Sequence, residues 1–259
     1  MTTLCRALGL EGNGVISIVG AGGKTSLMFR LAHDISGLGQ SVLTTTTTKI
    51  MMPRRSQSSH VILTTSSRTL IGDAAELLKE SLHISAASPR LPEHQGKIAG
   101  FPAVFIDEIR LSGCFQWILV EADGAAQKPL KAPADHEPVI PGSSNWVIGV
   151  VGLEAIGKPL QADWVFRHER YASITGLSEG MPVTPTSVVK AVAHPVGIFK
   201  GCPSRAQKIL FLNTAGKDQR LEAGRILADK LIEAKNTHDI GRIVIGSPLE
   251  KAAVAEFFE

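Results

Sequence analysis

Apolar, β-branched runs recur along the chain: VISIVG at 15–20, SVLTTTT at 41–47, HVILTT at 60–65, FQWILVEAD at 115–123, NWVIGVVGL at 145–153, KILFLN at 208–213 and RIVIGS at 242–247. A strand covered on both faces reads as an unbroken apolar run, whereas a half-exposed strand alternates. Between the runs apolar residues fall at helical spacing. Leu27, Leu31 and Ile35 form one inward stripe on a first helix that starts near Lys24 and stops at the GLG of 37–39. Further helices are predicted over 70–82, 102–111, 185–192 and 217–235. Such alternation implies parallel strands joined by right-handed crossovers, so the fold class is α/β with a mainly parallel sheet and flanking helices. No linker forces a second domain. Residues 1–259 are expected to form one α/β domain, with the mainly helical stretch 158–203 as a small cap.

Composition narrows the class without naming a chemistry. At 259 residues, 44% apolar and 20% charged, the chain has the make-up of an ordinary globular protein. No apolar run approaches the roughly 20 residues that span a bilayer, so no membrane partner is expected. The start, MTTLCRALGLEGNG, lacks the charged and long apolar regions of a secretory signal, and a cytoplasmic location is expected. A net charge of +3, spread along the chain, argues against a nucleic-acid partner. Three cysteines, Cys5, Cys114 and Cys202, are odd in number and far apart, which fits neither a disulfide framework nor a CxxC metal site.

Chemistry first surfaces at ISIVGAGGKTSLMFR, 16–30, where a strand-like run meets four small residues, then Lys-Thr, then the first helix. Main-chain amides at a helix N-terminus form an anion site, and glycines let them converge on phosphate oxygens. Gly20, Ala21, Gly22 and Gly23 would cradle phosphate, Lys24 would neutralise the outer phosphates, and Thr25 would ligate Mg²⁺, with Ser26 beside it. The usual pattern places a glycine where this chain has Ile18, so the loop is a shortened GxxGKT form. Its flanking strand and helix are the context a P-loop requires, which makes the sheet one of P-loop NTPase type.

Three further stretches extend the candidate site. WILVEADGA ends an apolar run with Glu121 and Asp123, where a carboxylate beside a P-loop holds Mg²⁺ or positions water. The run TTTTT at 44–48 reads equally as an exposed strand end or as hydroxyls facing a γ-phosphate, with Thr46 the candidate and Lys49 an added charge. From 124 to 145 run Pro129, Pro133, Pro138 and Pro141, which forbid regular helix or strand, in a stretch long enough to be a lid or binding loop. Lys128, Lys131, Asp135, His136 and Glu137 are its candidates for a second substrate, with Arg167 and His168 weaker ones. For the base, FLNTAGKD places Asn213 where guanine readers begin Asn-Lys-x-Asp, but Thr214 replaces the lysine, Gly216 stands at the Asp position and Asp218 falls two positions late. ATP and GTP both remain open.

Taken in order, GAGGKTSLMFRLA, VLTTTTTKI, VEADGA, PLKAPADHEPVIP, VIGVVGLEAIGKPL and HPVGIFKGCP resemble the selenium-dependent hydroxylase accessory proteins, the YqeC family. The resemblance implies a nucleotide-binding protein that serves maturation of selenium-dependent molybdenum hydroxylases, with such a hydroxylase or its cofactor-maturation proteins as partner. It implies phosphate contacts from Gly20 to Thr25, a site role for Glu121 and Asp123, and a distinctive loop from His136. A Mg²⁺-dependent NTPase with catalytic Lys24, Glu121 and Asp123, metal held by Thr25, Glu121 and Asp123, and ATP or GTP as ligand is the resulting expectation. The short P-loop, threonine-rich strand and acidic strand end also look like the ATP corner of Mur-type ligases. That likeness keeps an ATP-dependent ligase or small-molecule kinase as the alternative, beside a scaffold that binds nucleotide without hydrolysing it.

Overall fold

Every residue of the first strand, Gly14–Gly20, is buried, as an unbroken apolar run requires of a strand inside a covered sheet. The computed structural model describes residues 2–90, 96–216, 219–234 and 239–259. In chain order the first elements are α1 (Thr3–Ala7), β1 (Gly14–Gly20), α2 (Lys24–Ser36), β2 (Val42–Thr46), β3 (Ile50–Met51), β4 (Val61–Leu63), α3 (Ser67–Leu77) and β5 (His83–Arg90). There follow β6 (Lys97–Ala99), α4 (Ala103–Ser112), β7 (Trp117–Glu121), β8 (Leu130–Lys131), β9 (Ser144–Gly152), β10 (Val165–Phe166) and α5 (His168–Thr175). The chain ends with α6 (Pro185–Ala193), β11 (Gln207–Asn213), α7 (Gln219–Glu233), β12 (Ile240–Gly246) and β13 (Val254–Phe258).

Among the described residues the main sheet runs β13-β12-β11-β9-β1-β7-β2-β5-β6-β3, with β4 paired to β5. The pairs from β12 across to β4 are parallel, and the expected α/β class holds. The margins differ from the expected parallel order, because β13 pairs β12 antiparallel, and β6 pairs both β5 and β3 antiparallel. The antiparallel step from β12 to β13 needs only the short return between Gly246 and Val254 and no crossover helix. Register then brings one set of strand ends together: Ile18 lies opposite Glu121, Gly20 opposite Val150, Thr46 opposite Glu121, and Asn213 opposite Gly152. Ligands of open parallel sheets sit beyond such carboxyl ends.

Side-chain alternation divides the sheet between its two coats. Ile16, Ile18, Leu119 and Ile148 pack with Leu27, Leu31 and Ile35 of α2 and with Leu4 and Leu8 around α1. On the other face Val19, Val147, Val151, Leu210 and Leu212 pack with Tyr171, Val183, Val188, Val192 and Leu227. The stretch 158–203 therefore lies on the sheet's face through a shared core, but most of it is turns, with only α5 and α6 helical. A third cluster under α3 and α4 joins Leu70, Phe105 and Ile109 to Leu43, Ile84 and Ile118.

Several elements depart from their expected positions for local reasons. The first helix is α1, capped by Thr2, whose hydroxyl accepts from Cys5 N, and not the one at Lys24. α3 begins earlier than 70 because Ser66 caps it by accepting from Thr69 N at 3.2 Å. β5 interrupts its apolar residues with Ser85, which the strand tolerates because Thr44 Oγ1 lies 2.6 Å from Ser85 Oγ. Within the proline loop, β8 pairs β10 in parallel, a strand where four prolines had argued against any.

Leu119 of β7 is fully buried in the cluster that contains Leu27 and Leu31 of α2, whereas Leu111 is 87% exposed. Leu119→Ala should lose about 3 kcal/mol in chemical denaturation, and Leu111→Ala should lie within about 0.5 kcal/mol of the parent.

Candidate functional site

β1 runs straight into a turn that only glycine backbones fit. Gly20, Gly22 and Gly23 have φ of +92°, +82° and +123°, in the left-handed range. Close neighbours add a second reason: a Cβ on Gly22 would lie 2.6 Å from Gly152 Cα and from Pro129 O, and one on Gly23 would overlap Asn213 Nδ2. The amides of Gly20 and Ala21 are engaged inside the protein, by Asp123 Oδ2 at 3.0 Å and by Val150 O at 2.9 Å. Gly23 caps α2 with no side chain, so the first-turn amides at Lys24, Thr25 and Ser26 receive no side-chain cap.

Lys24 does not reach outward. It is 4% exposed, donates from Nζ to Gly20 O at 2.8 Å, and stands 3.3 Å from Asp123 Oδ1 and 3.7 Å from Glu121 Oε1. Thr25 Oγ1 donates to the other oxygen of that glutamate, Oε2, at 2.7 Å. The sequence-predicted Lys24, Thr25, Glu121 and Asp123 thus come together at one corner. Burial disfavours the Lys24 ammonium, but Asp123 and Glu121 outweigh it and raise the pKa. Burial also raises Glu121, aided by Asp123, against the opposing pull of Lys24 and Thr25.

From this corner an alternating row of charges crosses the protein. Asp123, 0% exposed, accepts from Lys131 Nζ at 3.0 Å, and that ammonium also donates to Gly124 O and, at 2.7 Å, to Glu137 Oε2. Glu137 Oε2 in turn accepts from Arg167 Nη1 at 2.6 Å, with the guanidinium 4.3 Å above the Phe166 ring. Three cations and three carboxylates alternate as Glu121, Lys24, Asp123, Lys131, Glu137 and Arg167. Buried ions lose hydration, and alternation of sign offsets that cost. Arg167 adopts a left-handed φ of +59° at the cap of α5, a conformation rare for a side chain of its size. Glu137 is pulled down to about 2 because its bonds to Arg167 and Lys131 outweigh the burial that would raise it.

Other candidates take different posts. Thr46 is fully buried and donates from Oγ1 to Glu121 O at 2.8 Å and to Thr48 O, so it braces the strand end and does not face a phosphate. Thr47 donates to Val139 O, and Thr45 Oγ1 is buried with no hydrogen-bond partner among the described residues. Asn213 donates from Nδ2 to Gly22 O at 2.7 Å and accepts from Ala215 N, so both ends of its amide hold main chain and steady the glycine turn. In the proline loop Lys131 and Glu137 turn inward, whereas Asp135 and His136 are exposed and Asp135 pairs with Arg170. His168 Nε2 lies 3.1 Å from Glu179 Oε1, away from the row. Asp218 lies outside the described residues.

A family model described as YqeC protein matches residues 16–169. The chain belongs to the YqeC family. The YqeC protein of Escherichia coli (strain K12), itself described as uncharacterized, is 37% identical over 248 residues, covering 94% of this chain and 91% of that one. All six members of the charge row fall inside the span matched by the YqeC family model, and Asn213 falls outside it. A crystal structure of FtsY from Mycoplasma mycoides covers 99% of this chain and 70% of that one, with a TM-score of 0.36 and 14% identity.

The pH dependence of stability follows from Glu137. Its folded pKa of about 2 lies below the ordinary glutamate value of 4.5, so its contribution is complete above about 4.5 and is lost as pH falls toward 2. Glu137→Gln should cost about 3 kcal/mol at pH 7, and the gap to the parent should narrow across that acid window in denaturation curves taken at each pH.

Proposed function

We propose that the chain binds a nucleoside triphosphate with Mg²⁺, hydrolyses it, and serves as an accessory protein in the maturation of selenium-dependent molybdenum hydroxylases. The observation that carries the nucleotide reading is the corner itself: Thr25 Oγ1 2.7 Å from Glu121 Oε2, beside Lys24, at a glycine turn whose helix has no side-chain cap. Family membership, with the linked motifs of the resemblance, supports the accessory role.

Each residue has a distinct task in this reading. Because the Gly20 and Ala21 amides are engaged internally, the amides from Gly22 into the first turn of α2 hold the phosphates. Lys24 exchanges its longest contact, to Glu121, for phosphate oxygen. Thr25 and Glu121 offer two hard oxygen donors of the kind Mg²⁺ takes, and phosphate oxygens and water would complete its shell, since no three acidic, His or Cys side chains among the described residues are grouped to hold a metal by themselves. The ion, when bound, would neutralise charge on the outer phosphate oxygens. Asp123, sealed from solvent, holds Gly20 N and Lys131 and so keeps the loop shaped. Water attacks the γ-phosphorus, the bond to the β-phosphate oxygen breaks, and nucleoside diphosphate, orthophosphate and a proton leave.

A ligand confined to the folded state raises the melting temperature. The parent protein should melt higher with Mg²⁺ and ATP or GTP, and should release phosphate slowly. Lys24→Ala should weaken triphosphate binding by about 3 kcal/mol and, because it strands the buried Asp123, should also lower the melting temperature, so its affinity is read at a temperature where circular dichroism shows it folded. Glu121→Gln should keep nucleotide binding but lose its Mg²⁺ dependence. Binding without phosphate release over hours identifies a scaffold, and labelled phosphate appearing on a small molecule identifies a kinase or ligase. A strain lacking the chain should accumulate inactive selenium-dependent hydroxylase, and full hydroxylase activity there would overturn the accessory role.

A further inference from the structure

Three residues beyond Asn213, where a guanine-reading aspartate would stand, the chain has Gly216 with φ of +71°. The place is not vacant. A Cβ built on Gly216 would overlap Glu250 Oε1, with Glu250 Cδ 3.4 Å and Cγ 3.7 Å away. A carboxylate from a different strand end therefore occupies the space into which a side chain at 216 would project.

We infer that Glu250 reads the base, and that the nucleotide bound at the glycine corner is a guanine nucleotide. This rests on the phosphate-site reading above. A carboxylate is an acceptor only. The Watson–Crick edge of guanine offers it two adjacent donors, N1–H and the 2-amino group, and both bonds are charge-assisted. Adenine offers an N1 lone pair at the same spot, which a carboxylate repels.

The placement is built from both ends. Asn213 Nδ2 holds Gly22 O, and Asn213 Oδ1 accepts from Ala215 N to form the turn that carries Gly216, so one amide links the phosphate loop to this edge. Three residues span at most about 10 Å, so Gly216 stays within that reach of the asparagine that holds the glycine turn. From the other side, Arg30 of α2 binds three carbonyls of the segment bearing Glu250: Pro248 O at 3.2 Å, Glu250 O at 2.7 Å and Lys251 O at 3.1 Å. The helix that begins with Lys24 thus also fixes the loop that presents the carboxylate. In that loop Leu249, 78% exposed, offers an apolar surface to a base, and the Glu250 side chain stays open to solvent.

The test measures affinities for GDP, ADP and xanthosine diphosphate with Mg²⁺ in the parent, Glu250→Gln, Asp218→Asn and Lys24→Ala proteins. The parent should favour GDP over ADP by about 30-fold or more, and Glu250→Gln should cut that ratio by about tenfold or more. An amide donates to the 2-carbonyl of xanthine while accepting from its N1–H, so the same variant should gain xanthosine diphosphate. Lys24→Ala should weaken GDP and ADP alike. Equal affinities for GDP and ADP in the parent, an unchanged ratio in Glu250→Gln, or a ratio that collapses only in Asp218→Asn overturns the assignment to Glu250 while leaving the phosphate site standing. Failure of every nucleotide to bind the folded parent removes the phosphate site and this inference together.

Discussion

The buried carboxylate of Asp123 organises the functional end of this molecule. It accepts from the Gly20 amide at the mouth of the glycine turn, from Lys131 in the proline loop, and lies beside Lys24 at the start of α2. Three segments distant in sequence are thereby fastened at one point inside the protein. A charge sealed from water is tolerable only when its partners are in place, so the ion pairs do more to specify the arrangement than to stabilise it. Removing any one member would strand the charge of the next.

That constraint gives the glycines two duties. The left-handed turn needs residues without a Cβ, and the neighbours need the same thing for a different reason, since Gly152, Pro129 and Asn213 press against Gly22 and Gly23. The glycine turn is held by Pro129 of the proline loop and by Asn213 at the end of β11. Its shape is set before any ligand arrives, which lowers the ordering cost that binding would otherwise carry.

The proline loop joins the same system. Lys131 and Glu137 point inward and carry the charge row to Arg167, at the start of α5. Val139 N donates to Ala122 O, Gly152 N donates to Pro129 O, and Thr47 donates to Val139 O, so the loop is stitched to three strand ends at once. Its prolines spare it main-chain donors that would otherwise need partners. The stretch 158–203 meets the sheet through apolar packing and meets the end of the charge row at Glu137 through the Arg167 guanidinium.

Local pattern alone determined much of this protein. The apolar runs became β1, β2, β7, β9, β11 and β12, because a strand buried on both faces leaves a signature that needs no knowledge of its neighbours, and the run at 60–65 became the short, half-exposed β4. The Gly-Lys-Thr corner, the strand ending in Glu121 and the stripe of Leu27, Leu31 and Ile35 were legible for the same reason. β5 and α1 were not, since their polar positions are settled by partners such as Thr44 and by a single capping hydroxyl. Only the tertiary structure decided that Lys24 faces inward, that Asn213 and Thr46 brace main chain, that Lys131, Glu137 and Arg167 continue a row from Asp123, and that Glu250 stands over Gly216. Spacing along the chain encodes which face a residue takes within its own element. Which charge meets which depends on how separate elements are laid side by side, and sheet register, not local sequence, fixes that.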